Sequence, residues 1–408
     1  MNYDIAIVGA GASGMALAIK LAREGKRVVL LEKQSRGGRK ILASGNGKCN
    51  ITNMKLTHKD YILKNKNLLK SIINNSSYQQ IESFFKSLGL EFFIKDDGKV
   101  YPKSQRASIV LELLEFELQR LNVKIFYNIE NLKIEKGFKL NFNNLTIYSQ
   151  YLVIATGSKA APQLGGDGSG LDIAKSFGHK IVKPLPALVA FNSKDRVCRV
   201  LNGIKIEAGV KLLIDGIERK FLVNDLLFAK YGVSGLAILD LSLYAVQALD
   251  AKRDVDILID FFPGINKDSL LNYLKSRIDK NRKLPLNLWL GGVIDPKIAF
   301  FITSMLKIDN KTEKDLNTKL LKTIIHTFKN YRVNIDSYRD FKYAEVAMGG
   351  VDTNEIKSNL ESKYVDKLYF MGEVLDIVGK RGGYNFSFAW CSAFRVAKDI
   401  VSDNKNQK

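Results

Sequence analysis

Short, wholly apolar runs alternate with helical spacing over the first part of the chain. Residues 5–8 are all apolar, a glycine-rich turn follows at 9–14, apolar positions then recur at helical spacing, and a second apolar run fills 28–31. A run apolar on both faces belongs inside a parallel sheet, so this order predicts strand, crossover helix and strand. Beyond it, Ile72, Ile73, Ile81, Phe84, Phe85 and Leu88 predict helices within 60–90. Residues 92–101 predict a hairpin turning at Asp96-Asp97-Gly98, and 104–121 a helix. Alternating runs at 123–127, 132–134, 139–142 and 146–148 predict a meander before a returning sheet strand at 151–155.

The pattern changes after Pro184-Leu185-Pro186. Runs at 188–191, 204–206, 208–214, 219–223 and 255–261 are short and β-rich, which predicts a barrel-like or sandwich insert. Residues 268–279, 296–306 and 314–331 predict amphipathic helices with basic outer faces. From Ala344 the glycine-rich character returns, ending in a strand at 368–371 and a helix near 389–402. The expected organisation is α/β: a discontinuous cofactor domain at 1–186 and 344–408, a β-rich domain at 187–265 and 332–343, and a helical domain at 266–331.

The first turn has the residue types a dinucleotide needs. Gly9 permits the tight exit from the strand, Gly11 lets the N–H groups near Ala12 and Ser13 approach a pyrophosphate, and Gly14 lets the helix lie close to the sheet. The positive end of the helix then faces the phosphates. Glu32, followed by Lys33, closes the second strand 18 residues beyond Gly14. Its carboxylate suits a ribose diol and repels a 2′-phosphate, so FAD or NAD is expected over NADP at this turn. A later loop, Gly165-Gly166-Asp167-Gly168-Ser169-Gly170, has no apolar strand leading directly into it and no closing acid, so no second nucleotide domain is expected there.

Composition narrows the class. No apolar stretch approaches the roughly 20 residues that span a bilayer, and Asp4 interrupts the N-terminal run, so a cytoplasmic protein without a signal peptide is expected. Cys49, Cys198 and Cys391 are too far apart for a C-x-x-C pair or a zinc site, so no metal is expected and redox chemistry falls to a bound cofactor. The charge is +21, from 63 Lys and Arg against 42 Asp and Glu. Residues 20–55 hold ten basic and two acidic side chains, and 264–343 sixteen and eight. Such a field favours a polyanionic partner, while a Lys-, Asn- and Ile-rich composition is the alternative source of the same charge.

Taken together, several motifs resemble the BaiN/RdsA group of FAD-dependent oxidoreductases over nearly the whole chain. They are the fingerprint with Glu32; Gly38-Arg39-Lys40-Ile41-Leu42 running into Ser44-Gly45-Asn46-Gly47-Lys48-Cys49-Asn50; Ala155-Thr156-Gly157; Met371-Gly372-Glu373-Val374-Leu375-Asp376; and Gly382-Gly383-Tyr384-Asn385. The resemblance implies a Rossmann-like FAD domain interrupted by a β-barrel-like domain and a small helical one. It also implies an NAD(P)H-dependent flavoprotein acting on activated double bonds such as steroid enones, an amine oxidase, or a synthase of dihydrouridine in 23S ribosomal RNA. Gly372, Glu373 and Asp376 would then hold the pyrophosphate and ribityl chain, and the 382–385 turn would face the flavin pyrimidine edge. Lys380-Arg381 stands where family members often have Pro-Thr, and Lys48 where Arg is frequent.

The favoured reaction is hydride transfer from reduced flavin to C6 of uracil with protonation at C5. His58, His179 and His326 lie outside the motifs, whereas Cys49 and Tyr384 fall inside glycine-rich loops expected to surround the flavin ring, which makes them the better acid candidates. Arg36, Arg39, Lys40, Lys380 and Arg381 are the candidate contacts for RNA phosphates, Arg39 and Lys40 also being placed to touch FAD. Two further expectations stand beside the RNA reductase: an oxidoreductase of a small enone or amine, and an RNA-associated protein holding FAD structurally.

Overall fold

The computed structural model describes residues 1–63, 65–279 and 281–406. The chain divides into two compact units, 1–185 with 345–408, and 186–344.

In the first unit the sheet runs Lys124–Phe126, Val28–Leu31, Asn2–Val8, Leu145–Ile154, Lys139–Phe142, Lys133–Glu135, with Leu368–Phe370 also paired to Leu145–Ile154. The pairings at the centre are parallel and those of the meander antiparallel. Ile5, Ile7, Val29, Leu152, Val153 and Ile154 are wholly buried. The meander's last strand and the returning strand are one ten-residue strand, Leu145–Ile154. Its first half alternates in exposure and its second half is buried on both faces, so the hydrophobic period changes partway and reads as two elements.

Ala12–Arg23 packs against the last helix, Tyr384–Asn406. Ala107–Arg120 also packs on Ala12–Arg23, tied by Glu117 to Arg23 at 2.8 Å, while Arg120 of its own helix holds Glu117 at 2.7 Å. Both helices at 60–90 form, as Lys66–Ile72 and Ser77–Lys86, and Phe85 meets Trp390 edge to face at 5.1 Å.

The second unit holds a seven-stranded antiparallel sheet in the order Tyr331–Asn334, Val255–Asp260, Lys205–Ile214, Ile217–Ala229, Gly232–Ser234, Phe191–Asn192, Ser337–Tyr338. The β-rich reading missed the helix Leu236–Asp250, whose buried face includes Ile238, Leu241, Ala245 and Val246. Polar breaks in that run are too few for its period to tell helix from strand. Helices follow at Lys267–Ser276, Leu286–Gly291, Pro296–Met305 and Thr318–Lys329. The last begins later than the periodicity predicts because Asn317 caps it, its side chain accepting from Leu320 N–H at 2.9 Å. Among the described residues no helix is long and apolar enough to cross a membrane, and no cluster of ligands suits a metal ion.

Candidate dinucleotide and flavin site

The fingerprint turn is shaped by backbone approach. A Cβ on Gly14 would stand 2.0 Å from the Gly9 carbonyl oxygen, and one on Gly9, at φ +107°, 2.5 Å from that of Ala155. Glycine is therefore required at both positions to pack helix, turn and neighbouring strand together. A Cβ on Gly11, by contrast, would meet nothing within 4 Å. Gly11 is also the N-cap, no side chain caps the helix, and its first turn holds no acid. N–H groups of Ala12, Ser13 and Gly14 without a side-chain cap, beside a Gly11 that adds no bulk, suit a pyrophosphate. Gly157, at the end of the Ala155-Thr156-Gly157 turn, faces similarly open space.

Glu32 lies beside the turn with its carboxylate oriented by backbone donors. Ala10 N–H donates to Oε2 at 2.8 Å and Gln34 N–H to Oε1 at 2.9 Å. Lys33 pairs with Asp167 at 2.6 Å, and Arg39 donates to Gln34 Oε1 at 2.6 Å. Gly38 adopts the left-handed conformation, and its N–H donates to the Ala10 carbonyl at 2.9 Å, which seats the second glycine motif against the first.

The Met371–Asp376 motif reaches the fingerprint helix directly. A Cβ on Gly372 would stand 2.8 Å from Ser13 Oγ, and Gly372 N–H donates to Ser392 Oγ at 3.1 Å. Glu373 pairs with Lys40 at 3.1 Å and also accepts from Ser158 at 3.3 Å. Asp376 accepts from Gly349 N–H at 2.9 Å. Thr156 Oγ1 is buried without a hydrogen-bond partner, against Gly170, where a Cβ would stand 1.9 Å away.

A second set of loops closes on the start of the last helix. Gly45, Asn46 and Gly47 all take left-handed φ and are exposed, while the Ser44 hydroxyl bonds the Ile41 carbonyl at 2.8 Å. Past them, Asn53 donates to the Gly382 carbonyl at 3.1 Å, Thr52 and Ser387 share a hydroxyl bond at 2.7 Å, and Trp390 Nε1 donates to the Ile51 carbonyl at 3.0 Å. Gly383 is forced to be glycine, since a Cβ there would stand 2.5 Å from the Thr52 carbonyl oxygen. Asn385 bonds both polar atoms of Gly379, at 2.8 and 3.0 Å, and so braces the 379–385 turn.

The two acid candidates sit in different surroundings. Cys49 is fully buried, and burial pushes its thiol up to about 12, partly offset by Ser44. Tyr384 is half-buried, its ring edge-on to Tyr61 at 6.3 Å, while Tyr61 Oη donates to the Tyr384 carbonyl at 2.7 Å. Burial raises the Tyr384 phenol, with smaller contributions from Asp60 and Asp97. Of the basic residues expected to meet phosphates, Arg36 pairs with Glu115 at 3.0 Å, Lys40 with Glu373, and Lys380 with Asp60 at 3.0 Å. Asn53, Thr52, Ser158 and Tyr61 were not singled out as site residues from sequence. Asn53 and Thr52 continue the Cys49 motif and could have been found there, whereas Tyr61 carries no local signal.

A strand, glycine turn and helix with an acid on the next strand, joined to a second glycine-rich turn at a helix start, define an FAD-binding Rossmann-type oxidoreductase. The chain belongs to the family described as HI0933-like protein Rossmann domain, which matches residues 3–399. It is 32% identical over 404 residues to the 3-dehydro-bile acid delta(4,6)-reductase of Clostridium scindens, covering 97% of this chain and 98% of that one. It is 30% identical over 407 residues to the ribosomal RNA dihydrouridine synthase of Escherichia coli, covering 98% of each. Among solved structures, the 3-ketosteroid delta1-dehydrogenase of Sterolibacterium denitrificans shares the fold at a TM-score of 0.50 and 13% identity, over 98% of this chain and 100% of that one.

Proposed function

We propose that this chain is an NAD(P)H-dependent reductase of a carbon–carbon double bond conjugated to a carbonyl, and that its substrate is uridine in 23S ribosomal RNA. The observation that carries the RNA reading is the +21 charge, alongside a relative named for that reaction. The reading is of a reductase, since both relatives' names describe adding hydrogen across such a bond.

When bound, FAD supplies the hydride that NAD(P)H provides and C6 of the uracil receives. The uncapped N–H groups of Ala12 to Gly14 would hold its pyrophosphate, and Glu32 its adenosine ribose. Asp376 and Glu373 would line the ribityl side, and the N-terminus of the last helix, opened by Gly382 and Gly383, would face the pyrimidine edge. Tyr384 would hold the proton destined for C5 at its Oη, because its raised phenol stays protonated at neutral pH and its ring is partly exposed. Cys49 is assigned to packing, since its thiol is wholly buried.

Mass spectrometry of nucleosides from 23S rRNA, with and without this gene, tests the reading. Loss of dihydrouridine, restored by the wild-type gene, is the expected result; unchanged dihydrouridine rejects it. A small enone is the second reading, favoured by the 32% identity to a bile acid reductase. It predicts turnover of a free steroid enone with NAD(P)H and no need for RNA.

A further inference from the structure

Three of the cations once expected to meet RNA phosphates are paired with carboxylates inside the first unit. The second unit holds a different kind of nucleic-acid feature. The Arg339 guanidinium carbon lies 4.5 Å from the centre of the Tyr231 ring and 4.0 Å from that of Tyr343, so one cation lies over both aromatic rings. Both rings stay open to solvent, at 39% and 54% exposure. No carboxylate among the described residues lies within ion-pair distance of Arg339.

We infer that Tyr231, Arg339 and Tyr343 form a stacking platform for an unpaired base of the substrate RNA, an inference that rests on the RNA reading above. The backbone under the stack is pinned. Arg339 N–H donates to the Ala190 carbonyl at 2.9 Å, Tyr343 N–H to that of Asp340 at 2.9 Å, and the Tyr231 carbonyl accepts from Ser193 N–H at 2.9 Å. The rings are therefore presented rather than loosely tethered. A stack that served only to brace the surface would be expected to bury its rings, and these keep large areas exposed. Tyr231 is preceded by the exposed Lys230, and Asp340 is the one acid in 337–343. Exposed π faces beside the Arg339 cation match a stacked base; a steroid would need an apolar enclosure instead. Aromatic and Arg planes are the surfaces on which splayed RNA bases stack, and such stacking tolerates any base.

The test uses the FAD-loaded, full-length protein and a fluorescent, short single-stranded oligouridylate. Y231A/Y343A is expected to weaken binding about tenfold or more, and Y231F/Y343F, which keeps both rings, to stay within about threefold of wild type. Flavin content and the circular dichroism melting profile should be equal in all three proteins, which excludes misfolding of either unit. Wild-type affinity in the alanine variant overturns the platform, as does a loss in the phenylalanine variant equal to that of alanine, which would mean hydroxyl bonding without stacking. Weakened binding of a steroid enone with oligouridylate binding intact also overturns it. The two readings fail separately. Gene-independent dihydrouridine together with stack-dependent oligouridylate binding rejects the reductase reading and keeps the platform; gene-dependent dihydrouridine with a fully active Y231A/Y343A rejects the platform alone.

Discussion

The two ends of the candidate cofactor site rely to different degrees on backbone approach and on side-chain bonds. At the fingerprint, the glycines and the acid lie within residues 9–32, and the constraint is backbone against backbone: Gly14 on Gly9, and Gly9 on Ala155 at the end of the neighbouring strand. At the candidate flavin edge, one backbone approach, Gly383 on Thr52, is joined by side-chain bonds between residues about 330 apart in sequence, Asn53 to Gly382 and Thr52 to Ser387. A site made by backbone approach tolerates no added atom, whereas one made by side-chain bonds loses stability by increments. The first end should therefore fail all at once, whereas loss of the side-chain bonds at the second should weaken it in steps.

Gly14→Ala tests the sharpest form of that difference. A Cβ placed 2.0 Å from a carbonyl oxygen cannot be relieved by a rotamer, so the helix must move off the turn. The expected result is about 3 kcal/mol or more of lost stability and protein purified without flavin colour. If Gly14→Ala retains flavin at wild-type affinity, the backbone account of this end is wrong.

Tyr384→Phe separates chemistry from assembly at the other end. With the ring kept and the phenol removed, kcat should fall about a hundredfold while flavin content and reduction by NAD(P)H remain unchanged. Unchanged turnover would remove Tyr384 as the proton source.

Asn53→Ala addresses the long-range bonds themselves. Leaving the buried Gly382 carbonyl without its donor should cost about 1–3 kcal/mol, read as a lower melting temperature with flavin still bound. An equal loss of flavin and stability, as at Gly14, would erase the distinction between the two ends.

The smallest effect is expected at Cys49. Cys49→Ser should leave turnover within about twofold, because a thiol buried away from solvent serves packing. Its titration has a definite sign. The folded thiol is raised from 9.0 to about 12, so between those values the unfolded chain releases a proton that the folded one keeps. Stability contributed through Cys49 is thus constant below pH 9 and declines as pH rises toward 12. Denaturant midpoints across that window should fall less steeply in Cys49→Ser.

The same contrast explains what could be read from sequence. The fingerprint was legible because its logic is local: strand, glycine spacing and acid fall within one short window. So were the hairpin Phe92–Ile94 with Lys99–Pro102 and the helix Ala107–Arg120, each with its own period and turn signal. The Leu236–Asp250 helix was not, since a run with few polar breaks has no readable period. Tyr61, which bonds the Tyr384 carbonyl, was hidden for another reason: its partner lies across the fold, and nothing beside it in sequence marks the contact. The pairing of Arg36, Lys40 and Lys380 with acids was likewise invisible, because sequence reports charge and leaves its neutralisation to tertiary structure.

The cofactor unit is made from both flanks of the inserted one, with Leu368–Phe370 lying beside Leu145–Ile154 and the last helix against Ala12–Arg23. During translation the fingerprint leaves the ribosome first and waits for these late pieces. Residues 186–344 intervene, and at about 5–20 residues per second their synthesis takes roughly ten to thirty seconds. Over that interval the nascent chain exposes a half-finished apolar sheet edge that only its own later segment can cover. Flavin capture is therefore expected to follow synthesis, and chains truncated before residue 345 are expected to be colourless and prone to aggregation.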